Sequence, residues 1–283
     1  MKMNYVDAGL GGGSVLQSAG RSPIQMMSYL ITTPNGRLMM IDGGYHCQED
    51  ADYLYELLKS RGGVVDYWFI SHTHGDHYGA LLWMLQNRPD FDIEIGTLCH
   101  HFPTREWQEK LPDHLTLTLM DVLEEKKLPQ RVLWTGDVIE CDGIRVEVLS
   151  HPEDYWDYPS ANPTSVILKF YFPKREILFL GDFDRFGEAE FFAKRDASKL
   201  RCDIVQMSHH GQTGSTREFY ERIAPKICLY PTPIWLWENN YYACFNPETR
   251  GKGIFTTPET RRWMEELGVE LSCVDGFGDW LLQ

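Results

Sequence analysis

Residues 71–80 read Ser71-His72-Thr73-His74-Gly75-Asp76-His77-Tyr78-Gly79-Ala80. Three histidines and an aspartate fall between His72 and His77. On extended chain His72 and His74 project to the same side, because strand side chains alternate with a period of two. Gly75 lets the backbone turn sharply, and Asp76 and His77 follow as neighbours aimed elsewhere. Imidazole together with carboxylate suits zinc, manganese or iron, and the lack of a nearby cysteine argues against a purely structural zinc site. One tetrahedral ion does not need four such side chains this close. Two ions sharing a bridging water do. The plain alternative is a polar turn rich in histidine by chance, and the flanking sequence argues against it.

That flank is a strand, then the motif, then a helix. Val64, Val65, Tyr67, Trp68, Phe69 and Ile70 make an apolar run with β-branched and aromatic character. Tyr78 to Leu85 reads as the start of a buried helix. The metal-binding types therefore sit at the carboxyl end of a strand, where open α/β sheets place their chemistry.

The same arrangement recurs. Asp42 ends Leu38-Met39-Met40-Ile41 and precedes Gly43-Gly44. Asp182 ends Ile177-Leu178-Phe179-Leu180-Gly181, and His209-His210 end Ile204-Val205-Gln206-Met207-Ser208. One Asp-Gly after a strand is usually only a turn; repeated strand ends deliver their side chains to one edge of a sheet. Elsewhere, Met26–Thr32 and Arg37–Ile41 flank a Pro-Asn-Gly turn, and Glu49–Arg61 has the apolar spacing of an amphipathic helix stopped by Gly62-Gly63. Strand signals recur near 91–99, 131–135, 137–141, 144–150, 164–172, 176–181, 203–208, 226–230 and 269–274. Helix signals lie near 115–127, 187–195, 215–223 and 258–267. Two sheets with helices outside them are expected.

A chain of 283 residues with 43% hydrophobic content can bury a large core. No run approaches the length needed to span a bilayer, and residues 1–20 lack the pattern of a signal peptide. Seven cysteines are scattered singly, as in reduced, cytoplasmic proteins. The net charge of −14 disfavours extended nucleic acid as a partner and favours a compact small-molecule substrate.

The set Ile41-Asp42-Gly43-Gly44, His72-Thr73-His74-Gly75-Asp76-His77, Phe179-Leu180-Gly181-Asp182 and His209-His210-Gly211 resembles that of the metallo-β-lactamase-fold hydrolases. Within that superfamily, the stretch Asn162–Ser165 with Leu180-Gly181-Asp182 and His209-His210-Gly211 looks most like the metallohydrolase domain of DNA-uptake competence proteins. Gln212 replaces their usual small residue, and this chain keeps the His-x-His pair that they often lack. The resemblance covers roughly residues 1–230 and implies a four-layer αβ/βα sandwich of the α/β (α+β) class. One domain over 1–283 is expected, with 231–283 as its C-terminal extension; 251–283 should add a helix and a strand to the second half.

Carried over residue by residue, the resemblance gives His72 and His74 to a first metal and Asp76 and His77 to a second, with Asp182 bridging both. One of His209 and His210 completes the second site; His209 is favoured because it closes the strand, leaving the other to contact substrate or donate a proton. His151, ending Ile144–Ser150, is expected to be the third first-site ligand, in preference to His100 and His101. Asp42 should orient the histidine loop without binding metal. His46 and His114 have no supporting context. Two divalent ions, zinc first and manganese or iron as alternatives, would provide a bridging hydroxide, with Asp76 and Asp182 as the catalytic carboxylates. Trp156 and Trp237 lie in two aromatic stretches that could line a substrate pocket. A phosphodiester is the leading substrate. The alternatives are a thioesterase or lactonase of glyoxalase II type and a non-catalytic metal-binding protein. Oxygen-reducing diiron flavoproteins are disfavoured because they carry Glu where this chain has His74.

Overall fold

The computed structural model describes residues 2–112, 114–153 and 160–283. Two sheets form its centre. The first runs, in spatial order, β1 (Met3–Val6), β15 (Asp279–Leu282), β2 (Ser14–Gln17), β3 (Ser28–Thr32), β4 (Leu38–Asp42), β5 (Val64–Phe69), β6 (Glu94–His100) and β7 (Gln130–Val132). The second runs β14 (Leu271–Val274), β13 (Ile227–Tyr230), β12 (Ile204–Gln206), β11 (Glu176–Phe179), β10 (Ile167–Tyr171), β9 (Ile144–Ser150) and β8 (Val138–Cys141).

Strand alternation sorts side chains into layers. Tyr29, Ile31, Met39, Ile41 and Phe69 of the first sheet face Val146, Val148, Leu168, Phe170, Ile177 and Phe179 of the second, forming the core between the sheets. The intervening residues Leu30, Met40 and Trp68 face outward, where α1 (Gln48–Ser60), α2 (Gly75–Asn87) and α4 (Leu115–Lys126) cover them with Leu54, Leu58, Leu81, Leu82 and Leu119. On the far side α5 (Arg185–Lys194), α7 (Arg217–Ile223) and α9 (Thr257–Glu266) cover Leu178 and Val205 with Phe191, Phe219, Tyr220 and Met264. The result is the expected four-layer αβ/βα sandwich. No described helix is long and apolar enough to cross a membrane.

The parallel ladders matter most for the site. β4, β5, β6 and β7 run parallel, and so do β11, β12, β13 and β14. Their carboxyl ends open on one edge of the sandwich. The tail differs from expectation in one respect. α9 and β14 extend the second half, but β15 crosses to the first sheet, pairing parallel with β1 and antiparallel with β2. A four-residue strand that follows a short turn carries too little periodicity to be read from sequence.

Gln206 holds the end of β11 to β12. Its Oε1 accepts from the backbone N–H of Leu180 and Gly181, at 2.7 and 2.8 Å, and its Nε2 donates to the carbonyls of Gly181 and Met207. The side chain is fully buried, so its removal leaves several backbone groups unpaired at roughly 1–3 kcal/mol each before any water enters. Gln206→Leu should therefore lower unfolding free energy by about 3 kcal/mol or more, read as a drop in the urea midpoint. An unchanged midpoint would show that this clamp is dispensable.

Candidate metal centre

Asp42, the last residue of β4, is completely buried, with φ 55°, a left-handed conformation that Asp tolerates better than most residues. Its Oδ1 accepts from the Ser71 N–H at 2.7 Å, and its Oδ2 accepts from the Ser71 hydroxyl at 2.8 Å. His77 Nδ1–H also donates to Oδ2, at 2.8 Å. This fixes the His77 tautomer and turns Nε2 toward the sheet edge, the usual role of a carboxylate behind a metal-binding imidazole. Asp42 thus sits behind the histidine loop.

α2 begins at Gly75, so Asp76 and His77 lie in its first turn, and α2 is held close to the Tyr45–His46 backbone. A Cβ on Gly79 would fall 2.2 Å from His46 N.

Two sets of donors result. His72, His74 and Asp182 bring one ligand atom each within 4.8 Å of one another, and so do Asp76, His77 and His210. Asp182 stands between them: its Oδ2 is 3.8 Å from His72 Nε2 and 3.7 Å from His210 Nε2, and its Oδ1 is 3.3 Å from His77 Nε2. His210 Nε2 lies 3.1 Å from Asp76 Oδ2. Buried His77 Nε2, Asp182 Oδ1 and His210 Nε2 lie beside groups of opposite charge yet make no aligned hydrogen bond. Leaving one buried polar atom without such a bond is costly, and three converging on one spot match what cations would satisfy. The residues present fit two divalent ions.

Charge reinforces that arrangement. Burial alone would raise the Asp182 carboxyl and lower the His77 and His210 imidazoles. The mutual attraction of the two types outweighs burial, holding Asp182 well below the usual carboxylate range and both imidazoles above theirs. Asp76 is likewise held low, chiefly by His210 against the opposing effect of burial. For His72 the balance goes the other way: burial and the neighbouring His77 charge outweigh the attraction of Asp182 and Asp76, and lower the imidazole well below its usual range.

Three expectations need correction. His210, not His209, enters the second set. Both residues have positive φ, 49° and 54°, so the chain coils at α6 (Ser208–Gly211) and the second histidine swings inward. There His210 Nδ1–H donates to the Pro231 carbonyl at 3.0 Å, leaving Nε2 toward Asp76. His209 remains half-buried on the wall of the cavity. His151 joins neither set. β9 lies two strands from β11, about 9–10 Å at normal strand spacing, and His151 Nδ1 accepts from the Thr135 N–H at 3.0 Å. Trp237 packs in the second half against Tyr230, beneath the Arg261 guanidinium, and does not line the cavity. Trp156 lies outside the described residues.

The cavity over the two sets has a volume of about 600 Å³. Tyr45, His46, Gln25, Gln212 and Tyr242 are part of its wall, with apolar contributions from Ile24 and Leu115. His46, set aside on sequence, follows β4 just as His72 follows β5. The strand-end signal used for the ligands would have found it.

A four-layer sandwich that gathers imidazoles and carboxylates at one edge defines a metal-binding α/β protein. The chain belongs to the metallo-beta-lactamase superfamily, whose model matches residues 22–226. It is 24% identical to ComE operon protein 3 of Bacillus subtilis (strain 168) over 191 residues, which are 67% of this chain and 22% of that protein. The chain thus corresponds to under a quarter of that relative. Solved structures share the fold. CmlA, a diiron beta-hydroxylase from Streptomyces venezuelae, superposes with a TM-score of 0.58 at 12% identity, covering 93% of this chain and 53% of CmlA. The metallo-beta-lactamase fold protein YhfI from Bacillus subtilis gives 0.53 at 11% identity, over 94% and 99% of the two chains. Unliganded yeast PDE1 gives 0.51 at 12%, over 93% and 97%.

The two sets should bind two zinc or manganese ions per chain, counted by elemental analysis after dialysis. Asp182→Ala should lose at least one ion. Asp42→Ala, which keeps every ligand but frees His77, should weaken binding roughly 10–100-fold. Full retention of both ions in Asp182→Ala would remove Asp182 from the centre.

Proposed function

We propose that the protein is a two-metal-dependent hydrolase acting on a small phosphodiester. The observation that carries this reading is the convergence of both donor sets on Asp182, where three buried ligand atoms make no aligned hydrogen bond. Four imidazoles and two carboxylates make a nitrogen-rich set suited to zinc, with manganese and iron as alternatives. His72, His74 and Asp182 would hold one ion. Asp76, His77 and His210 would hold the other. When bound, such a pair supplies Lewis acidity at phosphoryl oxygens and activates water at neutral pH.

The chain's own residues set the geometry. Asp42 and the Pro231 carbonyl fix the tautomers of His77 and His210. The Ser165 hydroxyl accepts from the Asp182 N–H at 3.1 Å, which steadies the residue shared by both sets. His209 lines the cavity and belongs to neither set, so we assign it to contact the substrate or to hand a proton to the leaving group. Gln25 and Gln212 add hydrogen-bonding groups that can meet the oxygens of a phosphodiester, on a wall that also includes Ile24 and Leu115.

The test is hydrolysis of bis(p-nitrophenyl) phosphate by protein stripped of metal and reloaded with zinc or manganese. Turnover should return with metal and fall to background in Asp182→Ala. A protein shown to hold two ions that is inert toward this ester but hydrolyses S-lactoylglutathione would instead be a thioesterase.

A further inference from the structure

A second cavity, of about 330 Å³, lies on the β9 side of the molecule and contains none of the residues of the two donor sets. Its size falls within the roughly 300–1,000 Å³ of small-molecule sites. His101, Phe102, Trp107, Trp134, His151 and Glu153 are among the residues that line it. The two histidines are neighbours, with ring centroids 4.6 Å apart, and the Trp134 indole meets both rings edge-on at 4.7 and 5.1 Å. Trp134 is 55% exposed, an unusual position for a large aromatic ring that the fold does not need for its core.

Hydrogen bonds assign the protons on the two rings. His101 Nδ1 lies 2.6 Å from the Leu133 carbonyl, which can only accept, so Nδ1 carries the hydrogen and the neutral ring offers Nε2 as an acceptor. His151 Nδ1 accepts from the Thr135 backbone N–H, so its hydrogen is on Nε2, which is a donor. Burial lowers both imidazoles, His151 to about 4 with His101 adding to the effect, so both are neutral at physiological pH. Neither Nε2 has a protein partner among the described residues. The pair therefore presents one acceptor and one donor beside aromatic walls. Glu153, ion-paired with Lys194 and Arg195, also borders the cavity.

We propose that this cavity binds a nucleobase, a neutral planar heteroaromatic group whose adjacent N–H and ring nitrogen pair with His101 Nε2 and His151 Nε2. The Trp134 and Phe102 rings supply the stacking surface, which is worth about 1–3 kcal/mol per base in known sites. An aliphatic chain would leave both Nε2 atoms unpaired, and a phosphate would find only one donor on the two neutral rings, beside an acceptor nitrogen that it cannot pair with.

The experiment uses adenosine and cytidine, each with an amino group beside a ring nitrogen and neither with a phosphodiester, so its outcome is independent of the hydrolase reading. Binding to the metal-loaded protein is followed by calorimetry and by quenching of tryptophan fluorescence. Saturable binding with quenching is expected, weakened roughly tenfold or more in His101→Phe and His151→Phe and in the exposed variant Trp134→Ala, whose melting should match wild type. Bound metal should be unchanged in all three, and Asp182→Ala should bind the nucleosides as wild type does. No binding of either nucleoside, or equal binding by His151→Phe and Trp134→Ala, would overturn the proposal. So would loss of an ion from His151→Phe, which would return His151 to the metal centre, or loss of nucleoside binding in Asp182→Ala.

Discussion

The buried Asp42 carboxylate is the constraint on which the site depends. A carboxylate without solvent is tolerated only when hydrogen bonds compensate the lost hydration. Here the donors are the Ser71 N–H, the Ser71 hydroxyl and the His77 Nδ1–H. All belong to the segment after β5, so the end of β4 and the β5–α2 corner form one unit. His72 and His74 are carried on that corner and cannot move independently of Asp42. Asp76 sits in the first turn of α2, where a negative charge is favoured by the helix dipole.

The second sheet supplies the other half of the centre, and the two halves meet with almost no space between them. Val166 N–H donates to the Ser71 carbonyl at 2.8 Å, joining the sheets directly. Gly181, with φ 58°, would place a Cβ 2.9 Å from the Ser71 side chain and 3.0 Å from Ser165 Oγ. Only glycine lets the β11 end approach closely enough for Asp182 to reach both donor sets. The Gln206 clamp keeps that glycine turn in place from behind. The central carboxylate is therefore positioned by backbone contacts and buried amides, with few of the long, mobile side chains that surface sites use.

Much of this was legible in the chain because it is local. His72 through His77, Asp42 and Asp182 all lie at ends of apolar runs, and a strand-end rule finds them without knowledge of the fold. The choice between His209 and His210 was not legible, because it depends on two successive left-handed residues and on a carbonyl at Pro231, 21 positions away. His151 satisfied the same strand-end rule, yet the rule says nothing of which strands become neighbours. Two strand widths separate β9 from β11, and only the sheet order reveals it. Trp237 was misplaced for a similar reason: an aromatic after a ligand strand can face the pocket or the core, and the Arg261 and Tyr230 contacts that decide it come from distant elements.

The position of β15 bears on how the chain acquires its structure. Asp279 pairs with Met3, and Leu282 pairs with both Val6 and Val15. β15 separates β1 from β2, so β1 has no strand partner and β2 is paired only with β3 until the last strand described here arrives. Contacts this distant in sequence slow folding, because the intervening chain must be ordered before they form. During synthesis the edge of β2 would stay unpaired while every other strand of both sheets is already made. An open strand edge of this kind invites pairing with other chains. The first sheet is thus begun early and closed last, and a nascent molecule is exposed to misassociation at that edge until synthesis has passed Asp279.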